Sequence, residues 1–345
     1  MKKKSVVTFG EIMLRLSTPG FSRFVQANQF DATYGGGEAN VAVALAGYGF
    51  DSHFVTRLPK HEIGESALQA VQRYGVQTGS IVRGGDRLGI YFLETGASQR
   101  PSKVIYDRAA SAVSEMDAGM VDWDDVFAGK DWFHWTGITP ALGKKPAEAV
   151  VAACKSARAA GVTISCDLNF RSKLWTEKEA QATMNPLMEY VDVCIANEED
   201  AQKSLGFDAG STDVEGAELD EEGYYTLARA LKKEYGFQTV AITLRESFSA
   251  SMNGWSALLH DDRDCREPYR STRYEIQIVD RVGGGDSFAS GLIAGLLTKT
   301  STRNALEFAV AASCLKHTIP GDFNLVRSEE VEKLVESGGS GRVER

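Results

Sequence analysis

Several things are scarce in this chain of 345 residues, and each scarcity removes a class of function. Basic residues are outnumbered, 38 Lys and Arg against 47 Asp and Glu, for a net charge of -9. A general nucleic-acid binder normally needs a basic face, so this balance argues against one. Cysteine is sparse: Cys154, Cys166, Cys194, Cys265 and Cys314 lie far apart and no CxxC occurs. That pattern fits reduced, mostly buried thiols in a cytoplasmic protein. The five histidines form no ligand-spaced cluster, so no zinc motif is present. No apolar run reaches the roughly 18 residues of a membrane span. The start, MKKKSVVTFGEI, has a basic flank, but VVTFG is too short for a signal segment and Glu11 ends it. It reads as a first buried strand. There is no internal repeat, and the tail SGGSGRVER (337–345) reads as a flexible end outside the fold.

What is present is an ordinary globular composition, 43% apolar and 25% charged. Short β-branched runs alternate with helical stretches. Strands are expected at Val6–Phe9, His53–Thr56, Trp132–Trp135, Thr163–Cys166, Val191–Ala196 and Thr239–Thr243. Helices are expected at Glu38–Tyr48, Glu62–Tyr74, Pro146–Ala160, Glu177–Tyr190, Glu221–Tyr235, Ser287–Lys299, Asn304–Lys316 and Ser328–Val335. The alternation predicts an α/β fold, a largely parallel sheet with helices on both faces. Ligands of such sheets sit beyond the carboxyl ends of the strands. Two regions break the rhythm, about 13–34 and 80–110. The second holds strand-like Gly89–Glu94 and Lys103–Tyr106. Together they predict a small antiparallel sheet covering the ligand as a lid; ordinary edge strands are the alternative. Leu205–Glu222 is acidic and glycine-bearing and reads as a surface excursion. Asn304–Lys316, rich in small residues, suits another helix or a flat ligand such as a purine.

Chemistry concentrates in YEIQIVDRVGGGDSF, Tyr274–Phe288. A strand-like run ends at Asp280, three glycines follow, and Asp286 stands where a helix begins. Glycines let amides turn toward an anion, and a helix N-terminus adds unpaired donors. Asp286 repels phosphate, so it is better explained as the acceptor of a proton from an attacking hydroxyl. A plain glycine turn is the bland alternative. The loop fits neither a Walker A motif, which needs Lys-Ser/Thr, nor a dinucleotide fingerprint, because GxGxxG is absent.

At these residues a family emerges. DRVGGGDSF resembles the C-terminal signature of the ribokinase-like (PfkB) carbohydrate kinases. YGGGEANVAVALAGYG, Tyr34–Gly49, resembles their N-terminal signature. The resemblance implies a single ribokinase-like domain over 1–336. It implies Asp286 as catalytic base and the amides of Gly283, Gly284 and Gly285 as an anion hole. Gly35 and Gly36 would approach the sugar, with Asn40 holding their loop. Asn197-Glu198-Glu199-Asp200 resembles the family's N-x-x-E element, with Asp200 in place of Glu. Asp200 and Glu199 would act on Mg²⁺ through water; an Asn-capped acidic helix start is the alternative. Asn169, Asn197, Thr243, Arg245, Gly283 and Gly285 would serve the nucleotide, although Arg245 stands near a usual glycine. A surface ion pair with Glu246 or another acid explains Arg245 equally well.

The finer details resemble one subfamily, the 2-keto-3-deoxygluconate kinases, in GGGEANVA, GIYFLETG, YDRAASA, DLNFR, ANEED and KHTIPGDFN. On that resemblance Tyr91, Tyr106, Arg108 and Arg171 hold a keto-acid end and Asp322 binds a hydroxyl. Arginine suits a carboxylate, whereas a neutral sugar needs other partners. Structural ion pairs are the alternative for each arginine, and a turn role for Asp322. The implied reaction is ATP-dependent phosphorylation of a terminal hydroxyl in Entner–Doudoroff-type or uronate catabolism. ATP and Mg²⁺ are the implied cofactors, with K⁺ as in the wider family. Apart from the resemblance, an exposed lid sheet often needs a partner over its apolar face, so a homo-oligomer formed through it is expected. The rivals are a neutral-sugar kinase (fructokinase or ribokinase) and a catalytically silent sugar-binding regulator.

Overall fold

Nine strands form the main sheet of the computed structural model, which describes residues 3–207 and 221–338. Six of them run parallel, in the spatial order Thr239–Ser247, Val193–Ala196, Thr163–Asp167, Trp132–Thr136, Ser5–Phe9, Asp51–Val55. Beyond Thr239–Ser247 the sheet turns antiparallel, adding Met252–Asp261, which pairs with both Cys265–Arg270 and Tyr274–Gln277. Alternation decides which helices cover which face. Val7, Phe9, Cys194, Val240 and Ile242 enter one core with helices Lys144–Ala159, Glu177–Leu187 and Glu221–Tyr235. Val6, Val193, Ile195 and Ala241 enter another, with Gly37–Gly47, Gly284–Thr298 and Thr302–Lys316. Cys154, Cys166 and Cys194 are free buried thiols within the first core.

The strand order reverses between Ser5–Phe9 and Trp132–Thr136. Connections leave this point in opposite directions and open a crevice at the carboxyl ends. Over the crevice lies a second sheet, in the order Asp31–Gly35, Met13–Ser17, Gly89–Glu94, Lys103–Asp107. Its outer pairs are antiparallel, but its central pair, Met13–Ser17 with Gly89–Glu94, is parallel. The lid is therefore mixed and not purely antiparallel, because its two halves come from distant segments and meet side by side. Met13, Arg15, Tyr91, Val104 and Tyr106 point inward, while Ile105 and Phe30 are exposed.

Local chemistry sets the ends of several elements. Thr176 and Glu179 form a reciprocal capping box at Glu177–Leu187. The helix expected to reach Tyr190 stops at Leu187 and tightens into a 3₁₀ turn, Met188–Tyr190. Pro186 supplies no amide to continue the ladder. The strand expected to end at Asp280 ends at Gln277. Small residues of Thr302–Lys316 meet helix Gly284–Thr298. A side chain on Gly291 or Gly295 would strike Ala309 or Ala305 at 2.8 or 2.6 Å. Most of the acidic excursion and residues 339–345 of the tail lie outside the described residues. No helix among the described residues is long and apolar enough to cross a membrane.

Candidate active site

Gly283 sits where only glycine fits. Its φ is +82°, and a Cβ there would come 2.2 Å from the carbonyl oxygen of Asp322. The preceding turn is tied by Asp280, whose Oδ1 accepts from the amide of Val282 at 3.0 Å. Helix Gly284–Thr298 begins immediately after. Gly284 packs against the His317 ring, and its amide donates back to Arg281 O at 3.3 Å. That donor is therefore partly engaged, which narrows the expected three-amide anion hole. Gly285 faces open space. Its amide and that of Gly283 stand at the helix start, where the dipole favours an anion.

Asp286 lies in the first turn of this helix, on the floor of the cleft. Its Oδ2 accepts from Asn40 Nδ2 at 2.6 Å. Asn40 Oδ1 in turn accepts from the amide of Gly36 at 3.2 Å. One side chain thus joins the glycine turn before the first helix to the carboxylate of the late loop. Close approach explains the early glycines: a Cβ on Gly36 would lie 2.1 Å from Glu11 O, and one on Gly35 would lie 2.0 Å from Asp322 Oδ2. Burial pushes the Asp286 pKa up to about 6. Glu38 and Asp322 add to the rise, while Asn40 and Arg171 oppose it. At neutral pH the group is mostly ionised and able to take a proton.

The cleft is about 390 Å³, within the range of small-molecule sites. Every residue singled out from the sequence lines it except Gly35, which backs onto Asp322. Several arrive already engaged. Tyr91 donates its hydroxyl to Asp322 at 2.5 Å, so it orients that carboxylate rather than standing free. Arg15 binds Asp322 at 2.8 Å and Asp280 at 2.6 Å, all three buried. Burial works against the Arg15 charge, but the two carboxylates outweigh it and hold its pKa up. Arg108 is buried beside Glu11 at 3.4 Å and lies over the Tyr106 ring. Arg171 donates to Phe170 O at 2.8 Å.

At the other end, Asn197 caps helix Glu198–Leu205 through the amide of Asp200 at 2.7 Å. Asp200 also accepts from the amide of Phe170 at 2.9 Å. Glu199 is drawn outward to Lys203, which favours Asp200 over it as an acid facing the cleft. Asn169 holds a left-handed φ of +40° and donates to Asp167 at 3.5 Å. Thr243 and exposed Arg245 follow on the next strand. Glu246, a possible partner of Arg245 by sequence, pairs instead with Arg273 at 2.8 Å, because neighbouring strand residues face opposite ways.

Sequence reading missed Arg15, Asp167 and Arg281. Arg15 carried a usable signal, since Met13 and Arg15 share the inward face of their strand. Asp167 ends strand Thr163–Asp167. Its carboxyl is pushed well above the usual range by burial, then by Asp200 and Asp286. Carboxylates forced together in a cleft fit a hard divalent cation, which accepts oxygen ligands and relieves their repulsion.

The chain is similar to known proteins along nearly its whole length. The family described as pfkB family carbohydrate kinase matches residues 3–326. A 2-dehydro-3-deoxygalactonokinase of Haloferax volcanii is 32% identical over 340 residues, 97% of this chain and 98% of that protein. A 2-dehydro-3-deoxygluconokinase of Bacillus subtilis is 28% identical over 334 residues, 95% of this chain and 94% of that protein. The crystal structure of a 2-dehydro-3-deoxygluconokinase from Thermotoga maritima is 53% identical. It superposes with a TM-score of 0.92 over 97% of this chain and 99% of that one.

Proposed function

The chain belongs to the pfkB family of carbohydrate kinases, and from that premise we propose that it phosphorylates the terminal hydroxyl of 2-keto-3-deoxygluconate with ATP, giving 2-keto-3-deoxy-6-phosphogluconate. One observation carries the chemistry: Asp286, with a raised pKa, stands beside the free amides of a helix start and is held by Asn40. The amides of Gly283 and Gly285 receive the charge that builds on the phosphoryl oxygens. Asp286 accepts the hydroxyl proton late, so a pKa near 6 suffices. Mg²⁺ supplies counter-charge to the phosphates; Asp167 and Asp200 are the residues that would hold it. Asn169, Asn197, Thr243 and Arg245 line the nucleotide end.

Arg108 and Arg171 support a sugar acid, since both cations line the cleft and Arg108 lies over the Tyr106 ring. Asp322, fixed by Arg15 and Tyr91, offers a rigid acceptor for a substrate hydroxyl. A coupled ADP-release assay across the gluconate- and galactonate-derived keto acids, fructose and ribose tests the reading. The keto acids should turn over fastest, and faster turnover of fructose or ribose overturns it. The galactonate-derived epimer is the second reading, favoured by the Haloferax relative.

The lid strands and the connection between them expose Phe21, Val25, Phe30 and Ile105. We propose that a second copy covers them. Light scattering that finds a monomer at assay concentration refutes this. A cytoplasmic location suits an ATP-consuming enzyme with free thiols.

A further inference from the structure

Lys316 is fully buried, and the chemistry above does not use it. It is the last residue of helix Thr302–Lys316. Its Nζ donates to Ile319 O at 3.3 Å and Asp280 O at 3.5 Å. The carboxylates of Asp280 and Asp322 are turned to Arg15 instead. Lys316 Cε lies 3.4 Å from the position a Cβ would take on Gly283, so the lysine arm runs directly behind the anion loop. The same turn is stitched to the helix end, where Val279 and Asp280 donate their amides to His317 O at 2.8 and 3.1 Å.

Packing alone does not account for a charge here. An ammonium taken out of water costs several kcal/mol, and a buried ion is often replaced by an apolar residue without loss of stability. Burial lowers the Lys316 pKa, and Asp280 and Asp322 pull it back. A methionine would fill the same channel at no such cost. We infer that Lys316 is a built-in monovalent cation, a positioning residue that holds the Asp280–Gly283 turn and places positive charge behind the amides of Gly283 and Gly285. That charge stabilises the phosphoryl group as negative charge develops on it. Backbone carbonyls are also the ligands a soluble K⁺ takes. Lys316 occupies them, so no added K⁺ is needed at this place.

This inference rests on the kinase reading, and the tests separate the two. Parental turnover should stay flat as KCl replaces choline chloride at constant ionic strength. Lys316→Met should melt at or above the parent while kcat falls about 10- to 100-fold. Its KM for ATP should stay within about threefold, because the loss falls on the transition state. Lys316→Ala opens the carbonyl pocket, and NH₄⁺ or K⁺ should restore its kcat several-fold where choline does not. Lys316→Met, whose channel is filled, should not respond. A folded Lys316→Met with parental kcat, or activation of the parent by KCl, overturns the inference alone. If neither variant folds, the parental salt response decides it. A parent inactive on every sugar overturns the kinase reading, and this inference with it.

Discussion

Asp286→Asn should make the protein more stable and nearly inactive at once. At pH 7.5 the carboxylate is ionised in the folded and unfolded chain alike. The fold raises its pKa from the ordinary 3.8 to about 6, chiefly through burial. At about 1.4 kcal/mol per tenfold change in proton affinity, keeping that charge costs about 3 kcal/mol. The side chain retains contact with the open side of the cleft, so about 2–3 kcal/mol is a fair expectation. Asparagine removes the charge and still offers an oxygen to Asn40 Nδ2, which now sits 2.6 Å away. The sign follows from linkage: with the folded pKa raised, the stability contribution is intact below 3.8 and is lost as pH rises through 6. The variant's advantage should therefore be absent near pH 3.5, grow between pH 4 and 6, and stay level above. Urea unfolding of both proteins across that range measures it. Turnover should fall about 10²- to 10⁴-fold, the usual worth of a positioned base. The parent's kcat/KM should drop tenfold per pH unit below about 6. More than a tenth of parental kcat in the variant refutes Asp286 as base. Equal stability at pH 7.5 refutes the burial argument.

Three other substitutions probe separate parts of the cleft. Arg171→Ala should raise KM for the keto acid at least tenfold, as expected for loss of a charged hydrogen bond of about 1.5–3 kcal/mol. KM for ATP should hardly change; an equal rise in both places Arg171 at the phosphate end instead. Gly283→Ala forces a side chain into a φ of +82° and against Asp322 O at 2.2 Å. It should lower stability by about 1–3 kcal/mol and kcat with it, and an unchanged melting temperature contradicts the geometry. Arg15→Met strands the buried carboxylates of Asp280 and Asp322. A loss of about 3–5 kcal/mol is expected at pH 7, shrinking at lower pH as Asp322, whose pKa burial raises, takes a proton; a loss independent of pH refutes that cause.

The parts of the fold that were legible depend on neighbours in sequence. Strand–helix rhythm, the Asn197 cap and the glycine turn at Gly283 report local backbone needs, and all were readable. Met252–Asp261 and Cys265–Arg270 were overlooked. They form a hairpin around Asp261-Asp262-Arg263-Asp264, and that polar turn masks the run it joins. The site was legible as a set of residue types, because glycine, asparagine and aspartate at those spacings carry the chemistry. It was not legible as a set of pairings. Nothing near Tyr91 in sequence shows that its hydroxyl will serve Asp322, 231 positions away. Nothing near Asp286 shows that Asn40 will hold it across 246 positions.

Those pairings decide the electrostatics. Asp286, Asp167, Glu38 and Asp322 all have raised pKa values, and in each case burial is the largest cause. Three of them, Asp286, Asp167 and Asp322, line the cleft, and cations set beside it offset their charge. Arg15 sits between Asp280 and Asp322, and Lys316 lies behind Gly283. Both cations lie outside the two motifs that identify the family. The motifs locate the reacting groups, whereas Arg15 and Lys316 supply positive charge from outside them. For that reason the decisive variants are the ones that change charge while keeping shape, Asp286→Asn and Lys316→Met. Each should separate stability from turnover, since in each the fold bears a cost that the reaction uses.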